Sequence, residues 1–311
     1  VVAHGGRWPG DIRRAGPRQR ICAAPLSCPA AAGHRKVGAR RGRSAMKSLE
    51  GMSILVTGGG SGIGLGAARY CIERGAKVTI CGRREDKIRA AAAELGDSCR
   101  GLAADITVAS DRQKLLEAAI DHGGQLDALV NNAGNMYRGA ITELDEAALQ
   151  EVFHTNVIAA MMLTGLCTPS LAQQQGAVVF VGSIHTRRAF PGASPYAATK
   201  AAIQGLTRVL AAELGERRIR VNCLLPGAVF TEINQRAGLM DDEMALQRLE
   251  GMSDLHALGR IGTTAEIAEA MAYLICAEWV TGAMIDIDGG LGLGITADPA
   301  MNKRKESSQD E

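Results

Sequence analysis

From residue 53 onward, apolar residues come in short runs separated by longer amphipathic stretches. SILVT (53–57), KVTIC (77–81), RGLAA (100–104), LDALVN (126–131), GAVVFVG (176–182), IRVNCLL (219–225) and AMIDI (283–287) are rich in Val, Ile and Leu and mostly lack polar alternation. Such runs predict strands buried on both faces. The stretches between them read as helices: GLGAARYCIERG (64–75), a charged segment ending at Leu95, a long helix over about 145–173, another over about 195–215, and helical segments through much of 231–277. Ser110 with Gln113 reads as a capping box opening one more. Strands alternating with helices predict a parallel sheet with right-handed crossovers and helices on both faces. The expected fold class is α/β, a three-layer doubly wound parallel sheet of about seven strands, occupying 46–297. Ligands in such folds sit beyond the carboxyl ends of the strands.

Composition narrows this picture in three ways. The chain has 311 residues, 46% hydrophobic and 22% charged, which fits one large α/β domain. No uninterrupted apolar run reaches the ~18 residues of a membrane span, so no membrane partner is expected. Of 35 Lys/Arg and 33 Asp/Glu, residues 1–45 hold nine Arg, Lys36 and the single acid Asp11, leaving 25 bases against 32 acids in the rest. The folded part is mildly acidic and no nucleic-acid partner is expected for it. Residues 1–45 are Gly/Pro/Arg-rich without apolar periodicity and read as a disordered basic extension ahead of Met46; a transit segment and a nucleic-acid-binding arm are the other readings. Residues 298–311 form a polar tail. The eight Cys show no C-x-x-C pair, so buried free thiols in a reducing, cytoplasmic setting are expected, with no metal site.

Candidate chemistry falls at the strand ends. TGGGSGIG (57–64) lies between the first strand and its helix. Glycines there allow φ > 0 and let backbone N–H groups approach a phosphate at a helix N-terminus. Within a βαβ unit this is a dinucleotide-binding pattern, and Gly62, Gly64 and Ala67 fit the G-x-G-x-x-G/A spacing. An acid about twenty residues later would hold a ribose 2′-OH; Gly82, Arg83 and Arg84 stand there instead. A guanidinium suits a 2′-phosphate, which favours NADP over NAD. Tyr196 and Lys200 lie one helical turn apart, with Ser183 thirteen residues before the tyrosine. A tyrosine hydroxyl ordinarily titrates near ~10, and an ammonium held close stabilises its phenolate, so the pair is a candidate acid–base device.

With TGGGSGIG, NNAG (131–134), Ser183, Tyr196-x-x-x-Lys200 and PG (226–227) in order, the chain resembles the short-chain dehydrogenase/reductase family over about 50–293, in particular its 3-oxoacyl-carrier reductases and glucose dehydrogenase-like members. The resemblance implies a Rossmann-like fold and a hydride transfer between a nicotinamide cofactor and a carbonyl/secondary alcohol. It implies catalytic roles for Asn156, Ser183, Tyr196 and Lys200, with Tyr196 exchanging the proton, Ser183 holding the same oxygen and Lys200 binding the nicotinamide ribose. Gly58, Ser61, Gly62, Ile63 and Gly64 would cradle the pyrophosphate, and Asp105 with Ile106 would meet the adenine. Asn132, Ala133 and Gly134 would line the adenosine side, and Pro226, Gly227, Val229 and Thr231 would face the carboxamide. It also implies a homo-oligomer, tetramer or dimer, built on the helices that carry Asn156 and Tyr196. Two other classes of function compete: a non-catalytic dinucleotide-binding regulator or scaffold, and a nucleic-acid binder acting through 1–45. His185, near Ser183, is close enough to touch substrate but reads equally as a loop residue.

Overall fold

The computed structural model describes residues 46–229, 231, 247 and 251–294. The chain divides into two units, Val1–Ser44 and Ala45–Glu311. The expected basic extension 1–45, the polar tail 298–311 and most of the helical segments expected over 231–263 lie outside the described residues.

Seven strands form one parallel sheet: β1 (Ser53–Thr57), β2 (Lys77–Gly82), β3 (Cys99–Ala103), β4 (Ala128–Asn131), β5 (Ala177–Val181), β6 (Arg220–Pro226) and β7 (Met284–Ile287). Their order is β3-β2-β1-β4-β5-β6-β7. Among the described residues the helices are α1 (Gly62–Ile72), α2 (Glu85–Leu95), α3 (Ala109–Gly123), α4 (Glu146–Phe153), α5 (Ala159–Gln174), α6 (Ser194–Gly215) and α7 (Thr264–Cys276). The chain leaves β1 in one direction and resumes on its other side at β4, so the crevice of the doubly wound fold opens between these two strands.

The continuous apolar runs have a direct cause. Successive strand residues face opposite sides of a sheet. In β1, Ile54 and Val56 join Ala67 and Ala68 of α1 and Met271 of α7, while Leu55 joins Leu115 of α3 and Leu163 of α5. Both faces are covered, so a polar residue is tolerated at either set of positions only where it finds hydrogen-bond partners, as Thr57 does. At Gly66 of α1 a Cβ would come within 2.8 Å of Thr264 Cβ, which shows how closely α1 and α7 approach.

Two local expectations are corrected. Ser110 and Gln113 do not form a capping box: α3 opens at Ala109, Val108 is its N-cap, and no side chain caps it. The turn before it is tied instead by Asp111, whose Oδ2 accepts from Asp105 N at 3.1 Å, and by Arg112, which donates to Ile106 O at 2.6 Å. A capping box stands at α7, where Thr263 and Glu266 satisfy each other's backbone N–H. The long helix is also not uniform: a π-helical turn, His154–Ile158, separates α4 from α5. Glu146–Gln174 is long enough to cross a membrane and contains an 18-residue window apolar enough to do so (mean hydropathy 1.3), and just over half of that window (56%) is buried inside the fold.

Arg220, at the start of β6, is a buried guanidinium with a structural task. It donates to Leu274 O at 2.6 Å, to Ala277 O at 2.8 Å and to Ile275 O, the carbonyls that the end of α7 leaves without partners. A cation at a helix C-terminus is also favoured by the helix dipole. Arg220→Met strands these acceptors and is expected to cost about 2–4 kcal/mol. For a domain of this size that corresponds to a thermal midpoint about 5–15 °C lower. Scanning calorimetry checks it; a shift below ~2 °C would mean that water replaces the guanidinium.

Candidate active site

The site begins at the end of β1. Thr57 Oγ1 accepts from the backbone N–H groups of Asn132 and Ala133, both at 3.0 Å, and donates to Val130 O at 3.3 Å. Asn132 Nδ2 in turn donates to Thr57 O at 2.8 Å and Gly58 O at 3.2 Å. The β1 and β4 ends are thus sewn together by a threonine and an asparagine. Gly58 and Gly62 have φ of +66° and +55°, which only glycine adopts without strain. At Gly64 a Cβ would lie 2.3 Å from Gly58 O and 2.5 Å from Asn132 Nδ2. The backbone therefore passes unobstructed at the N-terminus of α1, where Ser61 is the N-cap but does not cap with its side chain. Positive φ, a forbidden Cβ and an open helix N-terminus together fit a nucleotide pyrophosphate.

Two cavities meet there. The first, of about 1200 Å³, is lined by Gly58, Ser61, Gly62 and Ile63, by Asn132, Ala133 and Gly134, by Ser183, Tyr196 and Lys200, and by Pro226, Gly227, Val229 and Thr231. Its remaining wall includes Met136, Arg138, Ile184, His185, Phe190, Met252 and Leu291. The second, of about 1110 Å³, shares Gly58 and Ser61 and runs to Gly82, Arg83, Arg84 and Lys87. Arg83 Nη2 donates to Asn135 Oδ1 at 3.3 Å across this cavity's wall. Three cations face it against one acid, Glu151.

Four polar side chains are nearly withdrawn from water: Ser183, Tyr196 and Lys200 on the cavity wall, and Asn156 behind Gly134, are 7%, 6%, 5% and 3% exposed. Lys200, one turn after Tyr196 on α6, donates to Val181 O at 2.8 Å, and its ammonium lies 5.5 Å from the Tyr196 ring centre. Asn156 sits in the π turn. Its Oδ1 accepts from Asn135 N at 2.8 Å, and its Nδ2 donates to Asn135 O at 2.9 Å and to Thr199 Oγ1 at 3.1 Å. The π turn faces this polar residue inward, where its amide is fully engaged. A regular helix would leave an interior Asn poorly matched.

Ser183, at the end of β5, opens a short 3₁₀ turn, Ile184–Thr186. His185 packs edge-on against Tyr196 at 5.2 Å between ring centres and lies 4.5 Å from Phe190. Burial first, then the positive charges of Arg138 and Lys200, push the His185 imidazole down to about 4, so it is neutral at neutral pH. Cys81, beneath the glycine loop, is pushed up to about 12 by burial and holds no thiolate.

Of the residues expected from the sequence, most lie on the walls of these two adjoining cavities; Asn156 lines neither and stands behind Gly134. Gly64 acts from behind, as the place where a side chain is forbidden. Asp105 and Ile106 line neither cavity: Asp105 Oδ1 accepts from Thr107 N at 2.9 Å and Thr107 Oγ1 at 2.7 Å, a turn-forming role. Lys87 and Arg138 were not among the expected site residues, and His185 was read as equally a substrate neighbour or a loop residue. Lys87 stands one helical turn beyond Arg83, and His185 two residues beyond Ser183, and these spacings were the available signals. Arg138 carried none. Among the described residues no cluster of three or more His, Cys, Asp or Glu could hold a metal ion.

Residues 52–242 match the family model described as short chain dehydrogenase. The chain is 33% identical over 252 residues to dehydrogenase/reductase SDR family member 4 of Sus scrofa, covering 78% of this chain and 88% of that protein. It is 32% identical to a 3-oxoacyl-[acyl-carrier-protein] reductase of Chlamydia muridarum, covering 78% of this chain and 98% of that one. A solved 3-ketoacyl-(acyl-carrier-protein) reductase from Brucella melitensis, complexed with NADH, superposes with a TM-score of 0.72 at 31% identity, over 79% of this chain and 100% of that one. The glycine turn, the sewn strand ends and these likenesses agree: the chain belongs to the short-chain dehydrogenase/reductase family and is an NAD(P)-dependent oxidoreductase acting on CH–OH/carbonyl groups.

Proposed function

We propose that the protein interconverts a ketone and a secondary alcohol through Asn156, Ser183, Tyr196 and Lys200, with NADP as the preferred cofactor. The observation that carries this reading is that Ser183, Tyr196 and Lys200 line the same cleft as the glycine turn. The nicotinamide, when bound, supplies or accepts the hydride. Tyr196 Oη donates its proton to the carbonyl oxygen, or takes one from the alcohol. Ser183 donates a hydrogen bond to the same oxygen, where negative charge develops. Lys200 keeps a positive charge beside Tyr196 and offers further N–H donors to the cofactor ribose. Asn156 holds the 135 segment and, through Thr199, the start of α6 in register with the site. Gly58, Ser61, Gly62, Ile63 and Gly64 hold the pyrophosphate, Asn132, Ala133 and Gly134 the adenosine side, and Pro226, Gly227, Val229 and Thr231 the carboxamide. Asp105 and Ile106, outside both cavity walls, would meet the adenine edge only from the turn after β3.

The substrate half of the cleft is bounded by Met136, Phe190, Met252 and Leu291, which favours a carbonyl on a mainly apolar body, such as a 3-oxoacyl ester. Ile158, Met161 and Met162 around the start of α5 and Val209 of α6 expose apolar surface, which supports a dimer or tetramer on these helices. The described cysteines are free, in keeping with a reducing cytoplasm.

Tyr196→Phe is expected to leave NADPH binding within about threefold while lowering kcat by a factor on the order of 10² or more, because the ring stays and the proton donor goes. Loss of NADPH absorbance with ethyl acetoacetate, acetoacetyl-coenzyme A and simple ketones reads the turnover, and activity within tenfold of the parent would falsify the assignment of Tyr196. Arg83→Gln is expected to weaken NADPH by about one to two decades, the loss of one charge-assisted contact of about 1.5–3 kcal/mol, with NADH changed little. The ratio of kcat/KM for the two cofactors on one substrate checks this. A parent that already favours NADH would make Arg83 and Arg84 a solvated helix start.

A further inference from the structure

The Ser183 hydroxyl has one proton to donate and two lone pairs to accept with. Its neighbour His185 supplies donors for both lone pairs. The His185 backbone N–H donates to Ser183 Oγ at 3.3 Å. The second contact is Ser183 Oγ to His185 Nδ1, 3.0 Å, and its direction follows from the far side of the ring. There Arg138 Nη2 lies 3.2 Å from His185 Nε2. A guanidinium can only donate, so Nε2 must carry the lone pair. In a neutral imidazole the proton then sits on Nδ1, and Nδ1–H donates to Ser183. With both lone pairs engaged, Ser183 retains only its proton, for whatever oxygen enters the cleft.

We propose that Arg138 and His185 are positioning residues that fix the imidazole tautomer and so make Ser183 a one-way hydrogen-bond donor to the substrate oxygen. This rests on the reading of Ser183 as the donor to the substrate carbonyl. The surroundings hold the device together. Arg138 Nε donates to Met136 Sδ at 3.2 Å, which orients the guanidinium toward the ring. Thr186 Oγ1 donates to Ser183 O at 2.9 Å and accepts from Gln204 of α6, which fixes the 3₁₀ turn. The charged or titratable groups facing His185 are Arg138 from the loop after β4 and Tyr196 and Lys200 from α6. Arg187 and Arg188 beside it turn to Asp286 and Leu291 O, and Asp288 accepts from Gly290 N and Gly292 N. A hydroxyl whose partners leave it a single hydrogen-bond direction does not have to reorient when charge develops on the substrate.

The tautomer is read directly by ¹⁵N-detected imidazole NMR of the NADPH-bound protein, with His185 assigned by its loss in His185→Leu. The expected result is Nδ1 protonated and Nε2 bare at neutral pH; Nε2 protonated would overturn the proposal without any reference to turnover. Kinetics with NADPH and ethyl acetoacetate give a second, independent reading. His185→Leu should lower kcat about tenfold to a hundredfold with NADPH affinity within about threefold, and His185→Asn, which keeps a donor near the Nδ1 position, should recover part of it.

Arg138→Met supplies the reading that a merely structural role would not move. Without the guanidinium the ring is free to take the other tautomer, accept the Ser183 proton and turn it from the substrate. Its titration should also rise part of the way from about 4, since burial, the larger cause of the depression, remains. Acid then restores Nδ1–H. The ratio of variant to parent kcat should therefore rise as pH falls through the variant's own His185 titration, read by the same NMR, the reverse of a simple loss of function. A ratio flat across that titration overturns the proposal. A parent that reduces no carbonyl overturns the underlying reading of Ser183 instead, and the NMR result then decides whether the tautomer is held.

Discussion

A Cβ on Gly64 would sit 2.3 Å from the Gly58 carbonyl, well inside van der Waals contact, and that exclusion governs the carboxyl edge of the sheet. Because the first turn of α1 can press against the end of β1, Asn132 reaches both Thr57 O and Gly58 O with one amide. Because Asn132 is fixed, the chain after β4 runs past the opening of α1, and Gly134 brings it against Asn156. A Cβ at Gly134 would lie 3.1 Å from Asn156 Oδ1 and 3.6 Å from Lys200 Nζ. One close approach between two glycines thus sets the spacing of the cofactor groove and of the polar wall beside it. The apolar layers hold the sheet, but only backbone without side chains lets two strand ends and a helix start share so small a volume.

Much of this was legible in the sequence because it depends on local composition. A parallel strand covered on both faces must be apolar at most positions, so SILVT, AVVFV and their equivalents stand out against any background, and the strand bounds fell within about two residues of those read from the pattern. The glycine turn was legible for the same reason: φ of +66° and +55° leaves few residue choices. Tyr196 and Lys200 follow from helical spacing. The strand order was not legible: right-handed crossovers fix the hand of each connection, not which strands become neighbours.

The rest depends on partners far apart in the chain. Ser110 and Gln113 have capping-box spacing, but Asp111 and Arg112 already tie the turn to Asp105 and Ile106, and the helix starts without their help. The π turn has no composition of its own: Asn156 holds it by bonding Asn135, 21 residues earlier, and Thr199, 43 later. Arg138 meets His185 across 47 residues, and nothing in a single sequence links them. His185 itself reads as an ordinary loop residue until its ring is seen between a hydroxyl and a guanidinium.

The π turn has a mechanical consequence. An α-helix advances by ~100° per residue, and a wider turn absorbs one extra residue and shifts the phase of all that follows. α4 and α5 therefore cannot share one apolar stripe, and the outward position of Ile158, Met161 and Met162 is set by the same bulge that points Asn156 inward. Relaxing the bulge to regular helix would rotate both together. The polar wall of the cleft and the outer apolar face of α5 are two readings of a single phase, so a one-residue insertion or deletion upstream of Ala159 cannot retune one and spare the other.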